Sequence, residues 1–325
     1  MNQPVVSVWL ITYNHAAYIS QAIEGVLAQQ TDFAVELVIG DDYSTDGTRA
    51  IVQAYQQRHP DRIVTYLPGR NLGMTAILEP TYALCRGKYV AMLDGDDYWT
   101  DPLKLQKQVA QLEADPTVRF SFHRASTLYA RTGELKEPAE PTWRGQPGEL
   151  DLEDLMRGDN KVVTLSVLFR NDLGSLPDWY YQLPYPDLAL YFLLLMPGGA
   201  ARYLPDNMGV YRIHEAGWFS SLSAQHRYRH GARFFEVIGP YLPPRYQPLL
   251  HHELQHSYYE LLTLAVKKGE LADAAQYWLQ LGTQPATSAT HRARPWPHRV
   301  LLGSLARSGR LLRQLGVTPQ PNRYA

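Results

Sequence analysis

The chain has 325 residues, of which 45% are hydrophobic and 19% are charged, and its formal net charge is −1. This length suits one large domain, or a core domain with an appendage, and the apolar content permits a substantial core. The balanced charge argues against nucleic acid as a partner, because nucleic-acid binding relies on clustered basic residues that contact phosphates, and the single cysteine, Cys85, excludes an internal disulfide bond.

The sequence shows neither a secretory signal nor a membrane-spanning segment. Strand-type sequence begins at about Pro4, and the longest apolar stretch covers only residues 188–196. A helix needs about 20 apolar residues to cross a bilayer. We therefore expect a soluble, cytoplasmic protein, in which any contact with a membrane is peripheral.

Strand and helix patterns alternate in the first third of the chain. Residues 5–11 form a nearly continuous apolar run, which is typical of a strand covered on both faces. The next apolar residues follow helical spacing, at Ile19, Ala22, Ile23, Val26 and Leu27. Further strands are predicted at 35–39, 63–67 and 89–93, and further helices at 48–57 and 75–85. This alternation predicts a parallel sheet with helices on both faces.

The rest of the chain follows other patterns. Asp101 and Pro102 predict the start of a helix, as its N-cap and first residue. Short strands are predicted within residues 120–135, around a turn at 132–133, and at 162–169 and 203–214, with a loop at 134–149. From about residue 226 the sequence predicts helices. We therefore expect three parts: a nucleotide-binding half at 1–118, an acceptor-binding half at 119–222 and a helical region at 223–325.

Two acidic clusters follow predicted strands, at residues 41–47 and 94–97. In open parallel sheets, ligands bind beyond the carboxyl ends of the strands. The three carboxylates within residues 94–97 repel one another, so a hard divalent cation would stabilise them. Such a cation can bridge two phosphates and neutralise a leaving diphosphate. The structural alternatives are a solvated acidic turn at 94–97 and a helix N-cap at Asp46.

Three segments, in this order, resemble the family 2 glycosyltransferases of GT-A fold: residues 8–14, 37–48 and 87–99. The resemblance is strong over residues 4–115 and weak over 160–220. It implies a Rossmann-like, mostly parallel sheet flanked by helices, to which a helical C-terminal appendage is added here. It also implies an inverting transfer of a sugar from a nucleoside-diphosphate sugar to an acceptor hydroxyl, in bacterial surface glycan biosynthesis.

The resemblance implies a donor site formed by Thr12, Tyr13, Asn14, Asp41, Asp42, Asp94, Asp96 and Arg212. In it, residues 12–14 would wall the nucleobase, and Asp42 would accept a hydrogen bond from it. Mn²⁺ or Mg²⁺ would be held by Asp96 or Asp97, with His214 as a further metal ligand or phosphate contact. Tyr43 stands where the family often has Gly or Asn, which leaves the base open; UDP or dTDP is favoured over GDP.

The resemblance also places a general base in the second half of the domain, just before a helix. Asp187 is the candidate, Asp178 is its rival, and a plain helix N-cap is the structural alternative for Asp187. One or two of the nearby aromatic rings are expected to line a cleft for a glycan or lipid-linked acceptor. These rings belong to Tyr180, Tyr181, Tyr185, Trp218 and Phe219.

After Asp273 the chain has no acidic residue, and its last 40 or so residues interleave arginine with leucine. This basic tail, residues 286–325, has three interpretations: a peripheral contact with anionic membrane, a contact with a partner enzyme, or a solvated end without either role. Two alternatives to a glycosyltransferase also stay open. One is a metal-dependent nucleotidyltransferase, and the other is a non-catalytic nucleotide- or carbohydrate-binding protein on the same fold.

Overall fold

A computed structural model of the protein describes residues 3–158, 160–215 and 223–283. The chain divides into two compact units, residues 1–221 and residues 222–325. The first unit contains the sheet, and the second contains the C-terminal helices. The basic tail, Trp218 and Phe219 lie outside the described residues.

The strands of the first unit form one mixed sheet. In chain order they are β1 (Val6–Thr12), β2 (Val35–Asp41), β3 (Ile63–Tyr66), β4 (Tyr89–Asp94), β5 (Tyr98–Trp99), β6 (Val118–Tyr129), β7 (Glu134–Lys136), β8 (Glu149–Leu150), β9 (Leu168–Arg170) and β10 (Ala200–Ile213). Across the sheet the order is β3-β2-β1-β4-β9-β6-β10-β5, with β7 beside β6 and β8 beside β10.

Six of the eight strands in this order run in the same direction: β3, β2, β1, β4, β6 and β10. Strand β1 pairs in parallel with both β2 and β4, and β6 pairs in parallel with β10. Strand β9 is antiparallel to both β4 and β6, so those two strands run in the same direction. The carboxyl ends of β1, β2, β4, β6 and β10 therefore meet at one edge of the sheet, and the predicted mostly parallel sheet is confirmed.

Helices cover the sheet. In the first unit they are α1 (Ile19–Leu27), α2 (Thr48–Arg58), α3 (Leu78–Tyr82), α4 (Lys104–Ala114), α5 (Leu152–Met156) and α6 (Pro186–Leu195). The apolar stripe predicted on α1 is its buried face. On β1, the consecutive residues Val8, Trp9 and Leu10 are all buried, and because neighbouring side chains of a strand point to opposite faces, both faces of β1 are covered.

Two sequence predictions near the middle of the chain were wrong in detail. Helix α4 begins at Lys104, and the Asp101 carboxylate instead accepts hydrogen bonds from the Leu103 amide at 2.8 Å and from Lys107 Nζ at 2.8 Å. Asp101 thus orders the turn before the helix. The strand predicted at 162–169 is a 3₁₀ turn at Thr164–Ser166 followed by β9, because a continuous apolar run specifies burial but not backbone conformation.

Two further local predictions need correction. The stretch 134–149, predicted as a loop, begins and ends in the short strands β7 and β8, which pair with β6 and β10. Helix α2 has Gly47 at its N-cap position, with a φ of 105°, rather than Asp46. The Asp46 carboxylate nevertheless accepts a hydrogen bond from the Thr48 amide at 3.0 Å.

The described part of the second unit, residues 223–283, is helical, as predicted. Its helices are α7 (Ala224–Ile238), α8 (Gln247–Lys268) and α9 (Leu271–Thr283). Ser223 caps α7, and Gly269, with a φ of 75°, ends α8 in the left-handed conformation that glycine adopts without strain. Among the residues that the structure describes, no helix is both long and apolar enough to span a membrane.

Candidate active site

The turn after β1 and the loop after β2 are joined by a set of short hydrogen bonds. The Asn14 amide donates to Ser44 Oγ at 2.9 Å, and Asn14 Oδ1 accepts from the Thr45 amide at 2.9 Å. The His15 amide donates to Thr48 Oγ1 at 2.8 Å. These bonds hold the first two loops of the carboxyl edge as one structure and fix the position of His15.

Three side chains from distant parts of the sequence converge at this edge. His15 follows β1, Asp96 follows β4, and His214 follows β10. Asp96 Oδ2 lies 2.9 Å from His214 Nε2 and 3.8 Å from His15 Nε2. One ligand atom from each residue lies within 4.8 Å of the others. Two imidazole nitrogens and a carboxylate oxygen are a donor set that fits a divalent cation.

Gly95 permits this convergence because a larger residue would not fit. A Cβ atom at position 95 would lie 2.4 Å from Thr12 Oγ1 and 3.0 Å from His15 Nδ1. Thr12 is itself buried, and its Oγ1 lies 3.3 Å from His15 Nδ1. Thr12 therefore orients the His15 ring rather than presenting its side chain at the surface.

The carboxylates of Asp96 and Asp97 face different surroundings. Asp97 is buried, and its Oδ1 accepts a hydrogen bond from the Arg212 amide at 2.8 Å. The Arg212 guanidinium is also buried: it donates to the Asp96 carbonyl oxygen and to Gln21 Oε1, and it lies over the ring of Tyr18. Asp97 is not one of the converging ligands. Asp97 and Arg212 thus attach the acidic loop to β10.

The pKa values in the acidic loop are strongly perturbed. Burial raises the pKa of Asp94 to about 8, and the charges of Asp96 and Asp187 add to the effect. Burial also raises the pKa of Asp97. For Asp96, burial acts in the same direction, but the hydrogen bond from His214 and the charge of His15 outweigh it and lower the pKa. Burial lowers the pKa of His15, which favours the neutral imidazole that binds metals.

Asp187 lies in the first turn of α6, next to Pro186, and Tyr185 occupies the N-cap position. Its Oδ2 accepts a hydrogen bond from Thr164 Oγ1 at 3.2 Å, and its Oδ1 accepts one from the Leu188 amide at 2.8 Å. Burial raises its pKa. Thr164 begins the 3₁₀ turn that packs against β4, the strand that ends at Asp94, and the charge of Asp187 adds to the raised pKa of Asp94.

The remaining acidic candidates are occupied by contacts within the protein. Asp41 has no exposed surface and pairs with Arg49, whose Nε lies 2.7 Å from Asp41 Oδ2. Asp42 accepts the Leu72 amide at 2.7 Å with Oδ1 and the Gly73 amide at 2.9 Å with Oδ2. Asp41 thus anchors α2, and Asp42 anchors the loop that ends at Gly73.

Among the aromatic candidates, Tyr180 is buried, whereas Tyr13 and Tyr43 stand at the carboxyl edge with 46% and 43% of their surface exposed. Asp178, the rival base, is exposed and precedes the buried Trp179. The burial of Tyr180 leaves it unsuited to line a cleft, while Tyr13 and Tyr43 flank the turn after β1 and the loop after β2.

Comparisons with known proteins identify the family. The family model "Glycosyl transferase family 2" matches residues 7–153. TuaG of Bacillus subtilis, provisionally named a teichuronic acid biosynthesis glycosyltransferase, is 30% identical over 215 residues, which cover 65% of this chain and 80% of that protein. The chain belongs to glycosyltransferase family 2. An uncharacterized protein of Mycobacterium tuberculosis is 34% identical over 231 residues, 68% of this chain and 63% of that relative, so the chain spans less than two thirds of that protein.

Structural comparison gives the same fold. The mannosyltransferase PcManGT from Pyrobaculum calidifontis, solved with GDP-Man and Mn²⁺, superposes with a TM-score of 0.57 at 21% identity, covering 94% of this chain and 81% of that one. The GT-A fold implied by the resemblance is confirmed. Neither alternative raised from the sequence, a nucleotidyltransferase or a non-catalytic binding protein, finds support in these comparisons.

Sequence reasoning did not single out His15 or Thr164. The position of each residue in the sequence gave a partial indication. His15 directly follows the first strand, at the edge of the sheet where ligands bind, and Thr164 lies in the apolar run that was interpreted as a strand. Neither signal identifies a partner, because Asp96 and Asp187 are 81 and 23 positions away in the sequence. Only the folded chain shows that these side chains meet.

Proposed function

We propose that this family 2 glycosyltransferase transfers a sugar from a nucleoside-diphosphate sugar to an acceptor hydroxyl, with inversion at the anomeric carbon. One observation carries the proposal: Asp187, from α6, is hydrogen-bonded to Thr164 in the 3₁₀ turn that packs against β4, and β4 leads into the acidic loop where Asp96 meets His15 and His214. A carboxylate base near a group that can bind the leaving diphosphate is what a single displacement requires. The first 118 residues form the donor half, and residues 119–222 form the acceptor half.

Asp187 is the proposed general base. Its carboxylate takes the proton of the acceptor hydroxyl as that oxygen bonds to the anomeric carbon and the bond to the diphosphate breaks. A buried carboxylate with a raised pKa is a stronger base than a solvated one, although less of it is ionised at low pH. Thr164 donates to Oδ2 at 3.2 Å and so fixes the direction of the carboxylate. The structural alternative of a plain N-cap is not favoured, because Tyr185 holds that position.

We assign the donor diphosphate to the group formed by His15, Asp96 and His214. A divalent cation held there, Mn²⁺ or Mg²⁺, would neutralise the charge of the leaving diphosphate. The neutral form of His15, favoured by burial, and the ionised form of Asp96 are both the forms that bind metals. Asp97 and Arg212 act on this group indirectly by holding the acidic loop, in place of the metal and donor contacts suggested by the sequence.

The nucleobase is assigned to the loops after β1 and β2. Tyr13 and Tyr43 are partly exposed there, with the Arg49 guanidinium over the Tyr43 ring, and Asn14 fixes the distance between the two loops. Asp42 can contact the base only through lone pairs that the Leu72 and Gly73 amides leave unused, since each of its oxygens already accepts one bond. The prediction of UDP or dTDP over GDP therefore depends on the measurement below.

The acceptor is assigned to bacterial surface polysaccharide, as a glycan or a lipid-linked glycan. TuaG, with its provisional name in teichuronic acid biosynthesis, supports this class. Contact with anionic membrane through the basic tail stays part of the proposal. Co-sedimentation with anionic vesicles, using the chain with and without residues 286–325, tests it, and equal binding by both forms contradicts it.

A thermal-shift screen of UDP-, dTDP- and GDP-sugars with Mn²⁺ tests the donor class. A donor present at about 100 times its Kd stabilises the folded state by about 2.7 kcal/mol. For a unit of this size, that free energy raises Tm by roughly 5–10 °C. The matched product assay measures release of the nucleoside diphosphate in the presence of bacterial glycan acceptors.

Asp96→Ala is the diagnostic variant, and Glu113→Ala is its control. Glu113 is an exposed carboxylate on α4 whose Oε1 pairs with Lys88 Nζ at 2.5 Å, so its removal leaves the site intact. We expect Asp96→Ala to lose the metal-dependent part of the shift and Glu113→Ala to keep it. The proposal fails if no nucleoside-diphosphate sugar stabilises the protein, or if Asp96→Ala responds to donor and Mn²⁺ as the parent does.

A further inference from the structure

The Asp96 carboxylate is faced by two imidazoles. Its Oδ2 lies 2.9 Å from His214 Nε2 and 3.8 Å from His15 Nε2, and the two imidazole rings meet edge to face with centroids 5.9 Å apart. If the acidic loop acted with His214 alone, the His15 ring would have no need to face Asp96. The structure instead directs a nitrogen atom from each end of the domain toward the same carboxylate oxygen.

The position of His15 is fixed by the surrounding backbone and side chains. Its amide donates to Thr48 Oγ1 at 2.8 Å, which ties it to the start of α2. Its Nδ1 lies 3.3 Å from Thr12 Oγ1, so the second ring nitrogen is engaged and Nε2 points to Asp96. Gly95 has no side chain that would collide with the His15 ring. Engagement of the second nitrogen is how metal-binding histidines are commonly oriented.

Two imidazoles and one carboxylate differ from the oxygen ligands that Mg²⁺ prefers. Mg²⁺ binds few protein ligands, mostly carboxylates, and keeps several waters. Imidazole nitrogen is the preferred ligand of later first-row ions such as Fe²⁺ and Zn²⁺, and Mn²⁺, which begins that series, accepts nitrogen more readily than the harder Mg²⁺; two imidazoles with one carboxylate leave open positions on such an ion. We infer that His15 is a third protein ligand of this site, and that it makes the site select a transition-metal ion such as Mn²⁺ over Mg²⁺.

This inference rests on the proposed function for the location of the site, but its test measures metal binding and not turnover. Electron paramagnetic resonance of the full chain titrated with Mn²⁺ gives the affinity, and the same titration with excess Mg²⁺ gives the selectivity. The variant is His15→Asn. The control is His252→Asn, which removes an exposed histidine on α8 of the second unit.

We expect His15→Asn to weaken Mn²⁺ binding by at least about tenfold to a hundredfold, because the loss of a group that merely orients a ligand already has an effect of that size, and to let Mg²⁺ displace Mn²⁺ at lower concentration. His252→Asn should match the parent. The inference is overturned if His15→Asn, shown by its circular dichroism to be folded, binds Mn²⁺ with the affinity and selectivity of the parent.

Pulsed resonance of Mn²⁺ on the unmodified protein gives a readout that does not depend on the variant's folding. Nitrogen couplings from two imidazoles support the inference, and couplings from one imidazole overturn it. The two proposals can fail separately. Loss of Mn²⁺ selectivity in His15→Asn without turnover of any nucleotide sugar contradicts the enzyme activity alone, whereas turnover with a single imidazole on the metal contradicts the role of His15 alone.

Discussion

Gly95 lies between Asp94 and Asp96, and its replacement by alanine tests how tightly the site is packed. The added Cβ would lie 2.4 Å from Thr12 Oγ1 and 2.6 Å from Thr12 Cβ. Ordinary carbon contacts are about 3.5–4.0 Å. Thr12 would have to retreat by about 1 Å, but it ends β1 and is held in register opposite Asp41 of β2.

The expected loss of stability for Gly95→Ala is about 1–3 kcal/mol, the usual cost of adding a methyl group to a packed site. For a unit as long as the first one, residues 1–221, that loss of stability lowers Tm by roughly 2–12 °C. The same contact moves His15, because the new Cβ would also lie 3.0 Å from its Nδ1. We therefore expect Mn²⁺ affinity to fall by about tenfold to a hundredfold, as when the group that orients a metal ligand is lost.

Gly69→Ala is the matched control, because a Cβ at Gly69 would meet no atom within 4 Å. Its stability should stay within about 0.5 kcal/mol of the parent. Calorimetry gives Tm, and Mn²⁺ titration gives the affinity. The reasoning fails if Gly95→Ala has the same Tm as Gly69→Ala and the same Mn²⁺ affinity as the parent. Those results would show that the turn after β1 is not packed against the acidic loop.

Three further predictions concern buried titratable groups. Asp187→Asn should lower kcat by about 10²–10⁴-fold with donor binding unchanged, and the acidic limb of the pH–rate profile, displaced upward by the raised pKa of Asp187, should disappear; a retained limb in this variant contradicts the assignment of the base. Thr164→Val removes a hydrogen bond that lowers the pKa of Asp187, so the acidic limb of the pH–rate profile should move to higher pH. If the rate falls while the pH profile keeps its position, Thr164 has only a structural role. Lys104 is fully buried, and burial holds its pKa well below the usual value. At a pH between the folded and unfolded pKa values, the unfolded chain therefore binds more protons than the folded chain. The free energy of unfolding consequently falls as the pH falls. Lys104→Met should therefore gain stability relative to the parent as pH is lowered from about 10 to 6, measured by urea unfolding, and a constant difference would contradict the lowered pKa.

The strands at the centre of the sheet were predictable because their burial is two-sided. Val8, Trp9 and Leu10 are consecutive and all buried, so both faces of β1 are covered, and a nearly continuous apolar run is the sequence pattern that such a strand produces. The same kind of run failed at residues 162–169. Leu165 and Phe169 are equally buried, yet a 3₁₀ turn precedes β9, since a run of apolar residues does not distinguish a strand from a buried turn.

The site was predictable to the level of loops but not of side-chain directions. Acidic residues that follow strands of a parallel sheet had to meet at one edge, because the carboxyl ends of those strands lie together. Sequence alone cannot tell that Asp42 is engaged by two backbone amides, or that the buried Arg212 donates to Asp96 and Gln21 instead of standing at the surface. Both facts depend on residues more than 25 positions away in the chain.

The two directions taken by the Asp96 and Asp97 side chains explain how distant segments form the group that we propose binds a metal ion. Asp96 turns toward the edge, where His214 Nε2 lies 2.9 Å away, while Asp97 turns inward and accepts the Arg212 amide at 2.8 Å. Arg212 lies on β10 two residues before His214, which directly follows that strand, so the hydrogen bond from the Arg212 amide to Asp97 also helps to place His214 beside Asp96. Strand β5 continues this attachment, because it pairs with β10 directly after the acidic loop. In the proposed site, the acidic motif therefore supplies a ligand through Asp96 and positions a second ligand, His214, through Asp97, so that two consecutive aspartates have separate roles.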